Sequence, residues 1–307
     1  MTIYADISKT VGRAPLVRIN RVVSPQGGSV LAKLEFFNPT SSIKDRIAVN
    51  MIDAAEEQGD LKPGGTIVEP TSGNTGLGLS MVAASRGYRL IITMPESMSI
   101  ERRRLMKQLG AEIVLTDSEK GMNGAIAKAK EIYEETDNAY MPQQFQNSAN
   151  PDAHRRFTSE EIWEDTEDRV DALVAGIGTG GTLTGVASVL KERNPDFQAI
   201  AVEPKASAVL SGEEPGKHGI QGIGAGFVPE VLKTDLIDEV ICVSDYDAID
   251  MAREAAAKEG TLIGISSGAA LLAAKIYAER PENSEKTIVV ILPDTGERYL
   301  STKLFEE

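Results

Sequence analysis

Short runs of Val, Ile, Leu and Ala alternate with longer amphipathic stretches along almost the whole chain, and this alternation constrains the fold more than any other feature. Strands covered on both faces read as near-continuous apolar runs, and the stretches between them are long enough to cross from one parallel strand to the next. The expected strands are SVLAKLEFF from Ser29, TIVEP from Thr66, YRLIITMPE from Tyr88, AEIVLT from Ala111, DALVAGIG from Asp171, AIAVEP from Ala199, EVICVS from Glu239 and TIVVILPD from Thr287. Helices are expected over 44–58, 74–85, 121–136, 183–193, 245–258 and 269–279, each bounded by Gly, Pro, Asp or Asn. The pattern predicts an α/β fold whose open, mostly parallel twisted sheets are flanked by helices. A chain of 307 residues is about twice the usual length of one domain, so two units are a natural expectation. The polar segment QNSANPDA, around Asn147 and Ala153, separates two series of strands and is the candidate crossing between them.

Composition excludes several classes of function. No run of apolar residues is long enough to cross a bilayer, and the N-terminal stretch lacks the basic start and apolar run of a secretory signal. Cys242 is the only cysteine, which rules out an internal disulfide, and with two histidines in all no metal site is expected. A reducing cytoplasm fits this usage. The net charge of −14 repels phosphate backbones, so nucleic acid is not an expected partner, and an anionic ligand must be held by local dipoles.

Three expected strands end in polar or glycine-rich turns that open helices: VEP-TSGNTG, AGIGTGGT and LIGISSG. In open parallel sheets, ligands sit beyond the carboxyl ends of the strands, where helix N-termini offer unpaired N–H groups. Gly176, Gly178, Thr179, Gly180, Gly181 and Thr182 suit a loop whose amides and two hydroxyls wrap a phosphate. Gly176, Gly178 and Gly181 also satisfy G-x-G-x-x-G, with Glu203 ending the next strand where a ribose-binding acid belongs, so a dinucleotide site is an alternative. The run Thr71, Ser72, Gly73, Asn74, Thr75, Gly76 offers hydroxyls, an amide and N–H groups to a carboxylate, or is simply an elaborate helix cap. Lys44 stands at the start of an expected helix, where the dipole opposes an ammonium but not an imine, although a solvated surface lysine reads the same way. Asp45 and Arg46 read as a first-turn acid and an ion-pairing partner. Ser266 offers one uncharged hydrogen bond or caps a helix. Cys242 within EVICVS reads as a small buried hydrophobe, and His154 and His218 carry no assignment.

Taken together, NPTSSIKDR, EPTSGNTG, PQQFQNSANP, GIGTGGT, IQGIGAGF and GISSGAA, continuing into ILPDTGERYLST, resemble in order and spacing the cysteine synthase (O-acetylserine sulfhydrylase) family of β-family, fold-type II pyridoxal 5'-phosphate enzymes. The likeness spans nearly the whole chain and outweighs a single glycine pattern. It implies a tryptophan synthase β-like architecture with a smaller mobile N-terminal domain (1–12 and 36–150), a larger C-terminal domain (13–35 and 151–307) and the cofactor in the cleft between them. It further implies that Lys44 carries the cofactor as a Schiff base, that Asn74 bonds the ring hydroxyl oxygen, and that Gly178, Thr179, Gly180, Gly181 and Thr182 hold the phosphate. Ser266 matches the partner of the pyridine nitrogen. Thr71, Ser72, Asn74, Thr75 and Gln144 match the substrate-binding positions, with Gly222 in the active-site rim over 222–227. Small departures are Ser-Ile before Lys44, where Ser-Val is usual, and Ser148 where proline is common.

The implied reaction is β-replacement: O-acetyl-L-serine and sulfide give L-cysteine and acetate through an α-aminoacrylate, with Lys44 as the tethered base. The implied assembly is a homodimer, with the C-terminal tail of serine acetyltransferase as a candidate partner. Rival readings are other β-replacement enzymes, cystathionine β-synthase-like or using O-phosphoserine or thiosulfate, and a dinucleotide-dependent oxidoreductase.

Overall fold

The computed structural model describes residues 3–306, and it divides into two compact units. One takes the N-terminal segment up to Val11 together with Asn38–Asn150; the other takes Gly12–Phe37 and the chain from Pro151 onward. The strands in chain order are β1 (Leu16–Arg18), β2 (Ser29–Leu34), β3 (Thr66–Pro70), β4 (Arg89–Pro95), β5 (Glu112–Thr116), β6 (Ala139–Tyr140), β7 (Ala172–Gly176), β8 (Gln198–Pro204), β9 (Glu239–Val243) and β10 (Thr287–Leu292). The helices are α1 (Lys44–Gln58), α2 (Asn74–Arg86), α3 (Ile100–Gln108), α4 (Gly121–Glu135), α5 (Ala149–Ala153), α6 (Ser159–Asp165), α7 (Gly181–Arg193), α8 (Asp245–Glu259) and α9 (Ile265–Ala278).

In the first unit β5, β4, β3 and β6 form a wholly parallel sheet in that order. Ile67, Leu90 and Ile92 pack with α1 and α2 residues such as Ile52, Leu77 and Val82, while Val68 and Ile91 pack on the opposite face against Ala129 of α4. The chain moves outward from β3 to β4 to β5 and then returns to place β6 on the other side of β3. Strand order therefore reverses at β3, and the carboxyl ends of β3 and β6 mark the position where ligands bind in open sheets of this kind.

The second unit holds six strands in the order β1, β2, β10, β7, β8, β9, parallel except for β1. Order reverses again, at β7. Its core joins Ala172, Val174, Ile200, Val202, Ile288 and Val290 of the sheet to α8 and α9. Lys33 in β2 is fully buried, and it is retained because Glu161 and Asp165 of α6 meet its ammonium at 2.9 and 3.2 Å.

Two short strands and three helices go beyond the sequence reading. The three residues of β1 and two of β6 are too few to show a period of two. The helix α3 (IERRRLMKQ) buries only Met106, so it carries no apolar stripe. Between α5 and α6, a π-helical turn over His154–Thr158 shifts the side-chain phase. The run SVLAKLEFF leaves the sheet after Leu34 and closes as a 3₁₀ turn over Glu35–Phe37. No helix among the described residues is long and apolar enough to cross a membrane.

Candidate active site

In the first unit the loop before α1 is tied down before the helix starts. Ser41 adopts a left-handed φ of 57°, which costs a non-glycine residue energy unless its surroundings hold it. The buried Asp45 provides that hold: its carboxylate accepts from the Thr40 N–H at 2.6 Å and from the Thr40 hydroxyl. Lys44 is the first residue of α1 and is half-buried. A β-carbon on Gly78 would come within 3.0 Å of the Lys44 carbonyl oxygen and of Ala48, so the start of α1 presses directly on α2.

The run after β3 is not an elaborate cap. The residue at the N-cap of α2 is Gly73, which makes no side-chain cap, and the Thr71 hydroxyl takes the N–H of Gly73 at 3.3 Å. Thr71 and Thr75 are buried, whereas Ser72 and Asn74 are half-buried. The Thr75 hydroxyl donates to the side-chain carbonyl of Gln144 at 2.6 Å, which joins the turn after β3 to the turn after β6. Both turns leave the sheet where its strand order reverses, so this chain end collects hydroxyls, an amide and the positive end of α2 in one place. Such a donor set suits a carboxylate.

In the second unit the loop over 177–182 leaves β7 and opens α7. Gly180 is the cap, with φ of 80° and no side-chain acceptor, and Thr179 Oγ1 takes the Gly181 N–H at 3.3 Å. A β-carbon on Gly178 would stand 2.3 Å from the Gly222 carbonyl oxygen, and one on Gly222 (φ 95°) 3.7 Å from Ser266 Oγ. The N–H of Gly224 donates to Ile177 at 2.9 Å, binding the 222–226 stretch to the loop. Ser266 lies in the first turn of α9, buried and uncharged; its helix starts with Gly264 N–H donating to Asp294 at the end of β10. Gly178, Gly222 and Ser266 therefore converge where β7 meets β10. The amides and two hydroxyls of 178–182 at the start of α7 fit a phosphate, and the neutral Ser266 hydroxyl fits a ring nitrogen, so the residues present suit a phosphorylated heterocycle.

Two residues that sequence reasoning passed over belong to these turns. His154 is buried on the π-helical turn, with Nδ1 3.0 Å from Thr158 Oγ1 and Nε2 3.2 Å from Thr182 Oγ1. Glu69 is buried in β3, and burial pushes its carboxyl up to about 7 against the downward pull of the Gln143 and Gln144 amides. The available signal was an acid set within an otherwise apolar strand.

Glu203 answers the dinucleotide alternative. Its buried carboxylate accepts from the N–H groups of Leu210 and Ser211 at 2.8 and 3.0 Å and from the Ser211 hydroxyl at 2.6 Å, which engages the acid in its own loop. Cys242 corrects the reading of a buried hydrophobe: it is exposed on the edge strand β9, because the period of two that buries Ile241 and Val243 turns it outward. Its Sγ lies 3.6 Å from Ser211 Oγ. His218 Nε2 lies 3.0 Å from the Gly224 carbonyl oxygen.

Comparison with known proteins adds to this geometry. A family model described as pyridoxal-phosphate dependent enzyme matches residues 7–294. A cysteine synthase of Staphylococcus aureus is 51% identical over 301 residues, covering 98% of this chain and 96% of that protein. The crystal structure of a cysteine synthase from Entamoeba histolytica aligns with a TM-score of 0.95 at 48% identity, covering 99% of this chain and 91% of the other. The structure of an O-ureido-L-serine synthase aligns with a TM-score of 0.95 at 43% identity, covering 99% and 96%.

Proposed function

The chain belongs to the family of pyridoxal-phosphate-dependent enzymes, and from that membership we propose that it is a cysteine synthase, converting O-acetyl-L-serine and sulfide to L-cysteine and acetate. The cofactor is pyridoxal phosphate. The observation that carries the reading is the pair of turns at the strand-order reversal of the first unit, where Thr71, Ser72, Asn74, Thr75 and Gln144 gather around an α2 start that no side chain caps. An amino acid's carboxylate is the ligand such a donor set suits, and the similarity to cysteine synthases supports the rest of the substrate.

When bound, the cofactor supplies an electron-withdrawing ring that acidifies the substrate's Cα–H and lets a leaving group depart from Cβ. The Lys44 amine would hold the cofactor through its aldehyde carbon. The same amine, tethered within reach, would move the proton to and from the substrate's Cα. Thr71, Ser72, Thr75 and Gln144 grip the substrate carboxylate, aided by the positive end of α2. Asn74 would donate to the ring hydroxyl oxygen, and residues 178–182 would hold the phosphate. Ser266 would present a neutral hydroxyl to the ring nitrogen, which would stabilise a protonated ring less than a carboxylate and favour elimination over transamination. Gly222 lies in the rim beside Ser266 Oγ.

We extend the same reading to a cytoplasmic homodimer, the commonest closed assembly. The C-terminal tail of serine acetyltransferase is a candidate partner, since a chain-terminal carboxylate offers the chemistry that the Thr71–Gln144 groups suit.

The test is a spectral titration of the cofactor-loaded protein. O-acetylserine is expected to shift the visible spectrum, and sulfide to return it with release of cysteine. The likeness to O-ureido-L-serine synthase favours a second reading, replacement on another activated serine. If O-acetylserine leaves the spectrum unmoved while another serine derivative shifts it, the second reading replaces the first.

A further inference from the structure

Gln144 is presented by an unusual turn. Its neighbour Gln143 has a left-handed φ of 54°, a conformation that is strained for a side-chain-bearing residue and persists only where other contacts impose it. Pairing between β3 and β6 covers only Thr66 with Ala139 and Ile67 with Tyr140, so the chain beyond β6 has no strand partner to fix it. In place of a backbone carbonyl, the side chain of Glu69 in β3 accepts from Gln143 N–H at 2.9 Å and from Gln144 N–H at 3.3 Å. The same turn is closed from behind by Asn150 Nδ2, which donates to the Gln144 carbonyl at 2.7 Å, and by Asn147 Nδ2, which donates to Pro142 at 2.8 Å. With its backbone held on both sides, the Gln144 side chain accepts from Thr75 at 2.6 Å.

We infer that Glu69 is a positioning residue for substrate binding: its two carboxylate oxygens hold adjacent amides of the Gln143–Gln144 turn and thereby aim Gln144 at the Thr71–Thr75 run. The inference rests on the reading of that run as the carboxylate-binding group. Glu69 itself does not touch substrate. Only a group with two acceptor oxygens serves both amides. A glutamine of the same length accepts from one and turns an N–H donor against the other, leaving a buried donor without a partner.

The experiment compares holoenzyme carrying Glu69→Gln with the native holoenzyme by spectral titration with O-acetylserine and by steady-state kinetics. The half-saturating O-acetylserine concentration is expected to rise roughly tenfold, as one lost amide bond in a buried site implies, while the spectrum before substrate addition is unchanged and turnover at saturation falls far less. In a Gln144→Ala background, Glu69→Gln is expected to add little, because the group it aims is gone. Adding Gln143→Gly to Glu69→Gln is expected to recover part of the affinity, since glycine adopts the left-handed turn without help. This double variant also serves if Glu69→Gln alone does not fold. An unchanged half-saturation, full additivity with Gln144→Ala, or no recovery by Gln143→Gly overturns the assignment. A native holoenzyme blind to O-acetylserine removes the functional reading and the inference with it, whereas a responsive native enzyme beside an indifferent Glu69→Gln removes the inference alone.

Discussion

The carbonyl oxygen of Gly222 stands 2.3 Å from the point that a β-carbon on Gly178 would occupy. The two loops can be this close only because position 178 has no side chain, and the obstacle is backbone, which cannot rotate aside. Gly178→Ala therefore has to displace the 178–182 loop or the 222–226 stretch. The expected outcome is a fall in pyridoxal phosphate affinity of more than about tenfold, with a stability loss of about 1–3 kcal/mol. Fluorescence titration of the apoprotein with cofactor checks it, and native-like affinity would mean the loop is not the phosphate site.

Lys44→Ala is expected to lower turnover by about a thousandfold or more, because both the covalent anchor and the proton-transferring group are lost. Borohydride reduction followed by peptide mass analysis is expected to place a phosphopyridoxyl group on the Lys44 peptide of the native chain. A cofactor-replete native protein without that adduct would falsify the assignment.

Glu69 makes stability depend on pH in a particular direction. Its folded carboxyl titrates at about 7 instead of 4.5, chiefly because it is buried. The folded state thus holds the proton more tightly than the unfolded chain, so the contribution is fully present below 4.5 and is lost as pH rises through about 7; the interval corresponds to ~3 kcal/mol. Glu69→Gln cannot titrate, so its urea midpoint relative to that of the native chain is expected to rise between about pH 5 and pH 8. A difference that stays constant across this range would show that the carboxyl is not shifted upward.

Gly268 offers a test of the packing of α9 against α8. A β-carbon there would meet the Ala248 carbonyl oxygen at 2.1 Å and the Ala252 N–H and β-carbon at 2.9 Å, at the contact of α8 with α9. Gly268→Ala is expected to destabilise the protein by about 3 kcal/mol despite the better helix propensity of alanine. A urea midpoint equal to the native value would show that the two helices can separate at little cost.

The parallel α/β architecture was legible because its central strands are covered on both faces. TIVEP from Thr66 and TIVVIL from Thr287 are apolar for that reason, and the polar turns that follow the strands stand out against them. The starts of α1 and of α2, at Lys44 and Asn74, were also legible, since punctuation by Ser, Thr, Gly and Asn is local chemistry. The helix that carries Ser266 begins at Ile265 and not at Ala269, because ISSG carries no apolar spacing that marks a helix start. Cys242 was misjudged because one apolar run in an edge strand does not say which face meets solvent. Glu69 and His154 were passed over because their partners lie far along the chain, in the turn at Gln143 and at Thr182.

By itself, then, the sequence determined the element types, the alternation that makes both sheets mostly parallel, and the residue kinds at each turn, all of which follow from periodicity and backbone preference over a few neighbouring positions. Only the tertiary structure decided that strand order reverses at β3 and β7, which brings Thr75 to Gln144 and Gly178 to Gly222. It also decided that Glu203 serves its own loop while Glu69 holds another. The physical reason is that a hydrogen bond or a steric contact depends on distance in space, and residues such as Glu69 and Gln144 become neighbours only when the sheet is assembled.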